Sequence, residues 1–266
     1  MKYYFSFKVQ YQEVDTSLHL RLYTLENFLL NVAGRVADYL GYGLIHFLPR
    51  KLSWIITRLN LSMFELPKLS DIVVIETWIE SNVHTVSIRN FRIYKLINPK
   101  YNIDDIDRRD HGCPVIFSKQ NFKLIGEAKS YWTILNLETR TMVNVFDEDI
   151  FFNAVDGDII TVPRVSKALI HNTEESQNGS REYRVKYTDI DYNMHCNSCK
   201  YIEMLFDTYL FPNFQSRPFC MEINYRKELS EGTIVNISYE KFFNAVFYKI
   251  VDESGELCCN SAFSFQ

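Results

Sequence analysis

With 266 residues, 47% of them apolar and 23% charged, the chain has the material of a folded globular protein and is too apolar for wholesale disorder. Its net charge of −4 offers no global positive field, which argues against a nucleic-acid binder or a protein held on anionic membranes. Against 17 Tyr and 20 Phe there are only 9 Gly, a balance that favours sheet over glycine-rich phosphate loops.

Residues 1–8 carry neither the apolar stretch nor the small-residue cleavage site of a secretory leader, and no later run approaches the ~18 apolar residues of a membrane span. The cytosol is the expected setting. The six cysteines (Cys113, Cys196, Cys199, Cys220, Cys258 and Cys259) are too sparse for a disulfide framework, and free thiols are expected.

The first element is a strand running into a polar turn, Phe7-Lys-Val-Gln-Tyr-Gln-Glu-Val-Asp-Thr-Ser-Leu-His19. It recurs 176 residues later as Tyr183-Arg-Val-Lys-Tyr-Thr-Asp-Ile-Asp-Tyr-Asn-Met-His195, with four of thirteen positions identical and five conservative. The chain therefore reads as two copies of one unit. After the first copy, Leu25, Phe28, Leu29, Val32, Val36, Tyr39 and Leu40 recur at helical spacing, followed by β-rich runs at 54–61, 71–80, 86–96 and 129–137. A polar stretch at 98–112 reads as a long hairpin loop, and apolar 151–155 as a segment packed across a domain. Polar 171–180, without periodicity, reads as linker. The second copy leads to helical spacing at Tyr201, Ile202, Leu205, Phe206, Tyr209 and Leu210, then strands at 219–226, 233–243, 245–251 and 257–265. Each unit is α+β, one long helix on an antiparallel sheet, with expected domains at 1–150 and 181–266 and a linker over 151–180.

Reactive groups concentrate in 189–201. At a period of two, Asp191, Asn193 and His195 share one face of an extended segment while Tyr192 and Met194 point away. A helix begins near Asn197 or Ser198, and its first backbone N–H groups can donate to a developing oxyanion. A histidine for proton transfer, a neutral amide donor and a helix N-terminus suit acyl transfer. The same stretch also reads as an Asx-rich turn that merely caps the helix. A zinc site on His195, Cys196, Cys199 and Cys220 lacks the usual paired ligand spacing.

The pattern Asp191-x-Asn193-x-His195-x-Asn197-x-x-Lys200-Tyr201-Ile202 resembles the signature of acyl-acyl carrier protein thioesterases, the fatty-acid-releasing enzymes of plant plastids and many bacteria. The resemblance extends to Trp54-Ile-Ile-Thr-Arg58, Pro67-x-x-x-Asp71-Ile-Val-Val-Ile-Glu-Thr-Trp78, Ala128-x-x-x-Trp132 and Asn136-Leu-Glu-Thr-Arg140. It implies tandem hotdog domains, each a long helix wrapped by an antiparallel sheet, the second catalytic and the first receiving the acyl chain. It also implies the site residues Asp191, Asn193, His195 and Glu228, with no metal, nucleotide or flavin. The position after the acidic residue, often Cys in plant members, is Leu229, which weakens a cysteine mechanism and leaves an activated water or a transient anhydride on Asp191. In the first copy Asp15 and His19 persist, Ser17 stands opposite Asn193, and alignment of Leu59-Asn60 with Ile223-Asn224 sets Phe64 opposite Glu228. The implied partner is an acyl carrier protein, docked through local basic residues among Arg50-Lys51, Lys200 and Arg226-Lys227. No nucleic acid or membrane partner is expected, and the assembly is a monomeric pseudo-dimer or a homodimer. An acyl-CoA thioesterase and a non-catalytic acyl-binding hotdog protein are the competing readings.

Overall fold

The structure is a computed structural model that describes residues 1–98, 113–114, 119–145, 157–165 and 176–266. The chain divides into two compact units, Met1–Ile56 with Glu65–Thr161, and Thr57–Phe64 with Val162–Gln266. This division differs from two contiguous domains meeting at a linker, because the second half of one long strand is counted with the later residues.

In the first unit, helix α1 (Leu22–Tyr39) buries Leu22, Leu25, Phe28, Leu29, Val32 and Val36 along one stripe. It stops where Gly41 takes φ 87°, a left-handed conformation open to a residue without Cβ, and Tyr42 N–H returns to the Ala37 carbonyl at 3.0 Å. Tyr39 and Leu40, which the helical spacing assigns to the buried stripe, are therefore exposed at the helix end. A short helix α2 (Leu44–Phe47) follows. The sheet runs β5-β1-β3-β4-β6, where β1 is Tyr3–Lys8, β3 Ile72–Val83, β4 Val86–Leu96, β5 Cys113–Pro114 and β6 Phe122–Asn136; β2 (Leu52–Met63) follows β6 in strand order, and β7 (Met142–Val143) pairs with β6. Neighbouring strands are antiparallel, with Phe7 opposite Val73 and Tyr3 opposite Thr77, itself opposite Phe91. These rows face the helix, since the Phe7 and Phe28 rings stack with centroids 4.2 Å apart.

The other face of this sheet carries charge. Glu76, its side chain fully buried, accepts from Tyr94 Oη at 2.9 Å and Tyr4 Oη at 3.1 Å and pairs with Lys2 Nζ at 3.0 Å. Arg92 Nη1 and Nη2 donate to the two carboxylate oxygens of Asp158 at 2.9 and 2.6 Å, while its Nε reaches Glu127 at 3.1 Å. Trp78 Nε1 donates to the Asp158 carbonyl at 2.9 Å, so this residue is held by both its main chain and its carboxylate. The Arg92 guanidinium beside Asp158 draws that carboxyl down to about 2.

In the second unit the order is β2-β9-β12-β11-β10-β8, with β8 Gln177–Arg184, β9 Phe219–Tyr225, β10 Ile234–Lys241, β11 Ala245–Asp252 and β12 Leu257–Phe265. Thr57–Phe64 belongs here, and Leu59 pairs in register with Ile223, the residue it aligns with in the repeat. Helix α3 (Ser198–Thr208) buries Cys199, Tyr201, Ile202, Met204 and Leu205. It ends one residue before Tyr209, whose extended backbone leaves its ring stacked on Tyr239.

Gln177–Ser180, expected as linker, pair instead with Ser238–Lys241 as the start of β8. The strand lies at the end of its sheet and is largely exposed, so no alternation marks it. The remaining expected linker at 166–175, the loop at 99–112 and the segment at 151–155 lie outside the described residues. No helix among the described residues is long and apolar enough to cross a membrane.

Candidate active site

The loop after β8 is built by its own backbone. Residues Tyr187–Asp189 form one 3-10 turn, and the buried Asp189 carboxylate accepts the Lys186 N–H at 2.8 Å and Tyr183 Oη at 2.7 Å. Ile190 and Cys196 form an antiparallel bridge, Asp191 N–H donates to the His195 carbonyl at 2.9 Å, and Met194 N–H returns to the Asp191 carbonyl at 3.1 Å. The Asp191 side chain closes an Asx turn by accepting Asn193 N–H through Oδ1 at 2.8 Å. Residues 191–195 are thus a tight turn and not the extended segment expected from the period of two, because Met194 occupies the left-handed region at φ 63°. The partition of side chains still holds: Asp191, Asn193 and His195 are half-buried, while Tyr192 and Met194 are exposed.

Glu228 lies beyond the end of β9 and not on the strand. Arg226 and Lys227 N–H both donate to the Cys258 carbonyl at 2.9 and 3.1 Å, Tyr201 Oη donates to the Lys227 carbonyl at 3.3 Å, and Cys196 N–H donates to the Leu229 carbonyl at 2.7 Å. These bonds hold residue 228 against the turn, with Glu228 Oε2 at 3.5 Å from His195 Nε2. That separation is a few tenths of an ångström longer than a hydrogen bond. Burial pushes the Asp191 carboxyl above its ordinary value, opposed by the Asn193 and His195 backbone N–H groups.

Two expected donors are committed elsewhere. Asn197 caps α3 by accepting Cys199 N–H through Oδ1 at 2.9 Å, and its carbonyl accepts Lys200 N–H at 2.9 Å. Of the first N–H groups of the helix, those of Cys199 and Lys200 are thus already bonded within the cap.

Cys196, Cys199, Cys220, Cys258 and Cys259 are buried. Burial raises the Cys196 thiol to about 12, with the Asp189 and Asp191 charges adding to the rise, and Cys199 and Leu229 are also buried. Such a thiol stays protonated at neutral pH. No three His, Cys, Asp or Glu side chains among the described residues are grouped to hold a metal ion.

The first unit repeats the turn bond for bond. Tyr11–Glu13 form its 3-10 turn, Ser17 N–H donates to Asp15 Oδ1 at 2.8 Å, Asp15 N–H to the His19 carbonyl at 2.9 Å, and Leu18 sits at φ 62°. Ser17 Oγ occupies Asp15 and His19 Nδ1 at 2.7 and 3.0 Å. Backbone bonding also corrects the alignment beyond β2. Leu20 N–H donates to the Pro67 carbonyl as Cys196 donates to Leu229, and Ser70 and Gly232 bond Val9 and Val185 in the same way. Buried Leu66, not Phe64, is the counterpart of Glu228, and it too has no carboxylate.

Sequence reasoning missed Asp189 and Tyr201, which fix the turn and the Glu228 loop. The recurrence of Glu13 at the first position was the available signal, since its carboxylate accepts the Gln10 N–H at 2.8 Å. The basic docking candidates are largely occupied: Lys227 pairs with Asp252 and Glu256, Lys200 with Glu203 at 2.7 Å, and Arg226 donates to Asn260 at 2.9 Å.

Two α+β units, each with a helix on an antiparallel sheet, define a double hotdog protein, and the second unit sets a carboxylate and an imidazole side by side at a capped turn. Family models described as the acyl-ACP thioesterase N-terminal domain and the acyl-ACP thioesterase C-terminal domain match residues 1–102 and 171–265. The chain belongs to the acyl-ACP thioesterase family. It is similar to a chloroplastic palmitoyl-acyl carrier protein thioesterase of Gossypium hirsutum, 19% identical over 86% of this chain and 52% of the relative. It thus spans about half the length of that curated relative. Among solved structures, an acyl-ACP thioesterase from Bacteroides thetaiotaomicron superposes with a TM-score of 0.74 at 24% identity, covering 100% of this chain and 98% of that one. A 12:0-ACP thioesterase from Umbellularia californica gives a TM-score of 0.70 at 17% identity over 100% and 97%. The fold is the same.

Proposed function

We propose that the protein hydrolyses fatty acyl-acyl carrier protein thioesters in the cytoplasm, releasing free fatty acid and the carrier thiol. The observation that carries this reading is the Glu228–His195 pair at 3.5 Å beside the Asp191–Asn193 turn, within the residues matched by the family's C-terminal domain. His195 and Glu228 take a proton from water as its oxygen bonds to the thioester carbonyl carbon. Negative charge then forms on the carbonyl oxygen, where the Asn193 amide or Ser198 N–H donates. Collapse breaks the carbon–sulfur bond, and the leaving thiolate takes the proton from His195. Asp191 holds the turn through its bond to Asn193 N–H; attack by its carboxylate to give a transient anhydride is the alternative first step. The interior of the first unit receives the acyl chain.

Purified protein should cleave acyl carrier thioesters faster than the matching acyl-CoA. The reverse order would make it an acyl-CoA thioesterase. Cysteine plays no chemical part in this scheme: Cys196→Ala and Cys199→Ala should keep most of kcat in steady-state assays, because the Cys196 thiol near 12 supplies no thiolate and Cys199 is buried in the first turn of α3. Complete loss in a folded Cys196→Ala protein would overturn the water mechanism.

A further inference from the structure

The turn that joins β11 to β12 is wound around one carboxylate. Asp252 Oδ1 accepts Ser254 N–H at 3.0 Å, Ser254 Oγ at 2.6 Å and Glu256 N–H at 3.0 Å. Gly255, at φ 85°, directs its N–H to the Asp252 carbonyl at 2.9 Å. Oδ1 is thus committed within the turn. Oδ2 accepts Lys227 Nζ at 2.7 Å, and Glu256 Oε2 takes the same ammonium. Two carboxylates from one turn therefore grip a lysine that belongs to another loop.

That lysine immediately precedes Glu228. Strand β9 pairs with β12 up to Tyr225, which stands opposite Cys259. Beyond it Arg226 and Lys227 both turn their N–H groups to the Cys258 carbonyl, two residues against one, and such a bulge bends the chain out of the sheet. Past Glu228, the Leu229 carbonyl accepts Cys196 N–H. Between these points the peptide joining Lys227 to Glu228 is restrained by Tyr201 Oη at 3.3 Å, a long bond. The gripped lysine side chain supplies a second, charged restraint at the near end of that peptide. How the Glu228 carboxylate meets the imidazole depends on this peptide, and a misplacement of about 1 Å at a reacting group can cost roughly a hundredfold in rate.

We propose that Lys227 is a positioning residue: anchored on Asp252 and Glu256 of the β11–β12 turn, it holds the Glu228 carboxylate beside His195. All of these residues belong to the second unit. The consequence for catalysis rests on the proposed thioesterase reading; the placement of the carboxylate against the imidazole does not.

The first readout needs no substrate. The titration midpoint of the His195 imidazole, followed by NMR on the intact chain, should fall when Glu228→Gln removes the neighbouring carboxylate. Lys227→Met should lower it in the same direction, by about half as much or more, and Lys227→Arg should restore it. Loss of a nearby cation would by itself raise the midpoint, so a fall reports displacement of the carboxylate. Added to Glu228→Gln, Lys227→Met should give no further fall; Asp191, a carboxylate that also bears on the ring, stays in every variant. A midpoint unmoved in Glu228→Gln, or unchanged or raised in Lys227→Met, overturns the proposal. Glu256→Gln, at a side chain 61% exposed, removes one arm of the cluster and should give a smaller fall of the same sign, which decides the matter if Lys227→Met does not fold. Toward acyl carrier thioesters Lys227→Met should lower kcat about fivefold, the upper end for a partly exposed ion cluster, with KM within about twofold and Tm within about 2 °C. An unchanged kcat, or a change in KM alone, overturns the positioning role. If no chain cleaves the thioester while the titration pattern stands, the thioesterase reading fails and the positioning role holds.

Discussion

Glu228→Ala and His195→Ala should each lower kcat toward acyl carrier thioesters by roughly a hundredfold or more, the usual scale for a general acid–base group. Both side chains are only partly buried, at 28% and 23% exposure, so truncation opens no sealed cavity and the fold should survive. The turn itself is held by the main chain of residue 195 and the loop by the main chain of residues 226, 227 and 229, none of which the substitutions remove. Glu228→Gln sharpens the result: it keeps the volume and loses the ability to take a proton, and should fall as far as Glu228→Ala. Retention of activity by folded Glu228→Ala, measured alongside unaltered circular dichroism, would remove Glu228 from the mechanism.

The largest effect on stability should come from Arg92→Met. That substitution strips Asp158 of its bidentate partner, removes the Nε bond to Glu127, and leaves the buried Glu76 with Lys2 as its nearest cation. Breaking one partner out of a buried charge cluster costs about 3 kcal/mol or more, which for a chain of this size is a Tm loss of roughly 6–12 °C. The same cluster sets the acid limit of the first unit. Asp158 has its carboxyl drawn down to about 2, so the stability it contributes is present above the ordinary carboxylate range and is lost as pH falls toward 2. Arg92→Met should shift the acid unfolding midpoint upward, and a denaturation curve indistinguishable from the unsubstituted chain at pH 7 and pH 3 would refute the assignment.

Much of this was legible from residues alone because it is written in local chemistry. The repeat at 7–19 and 183–195 carries its own turn, and both copies form the same aspartate-to-backbone and main-chain bonds across it. Strand 257–265 and the helical stripe from Leu25 to Val36 were readable because burial on one side imposes a period. What escaped reading depends on contacts distant in the chain. Gln177–Ser180 look like linker until β10 supplies their partners, and Leu66 aligns with Glu228 only once the bonds to Pro67 and Leu229 are compared. Asp158, ordered by Arg92, Trp78 and Lys2, has no periodic signature whatever. Glu228 itself was found by resemblance, since nothing in its neighbourhood marks it as a partner of a histidine 33 residues earlier.

The left-handed residue in each turn, Leu18 and Met194, shows how slowly a scaffold decays relative to its chemistry. A side chain in that conformation is tolerated only where surrounding bonds enforce it, and in both turns the enforcing bonds come from an aspartate and the main chain. The copy with Ser17 and Leu66 has kept every one of those bonds while holding an amide and a carboxylate at neither place. Duplication thus left the protein a second turn of the same geometry, two side chains away from the residue set of its twin.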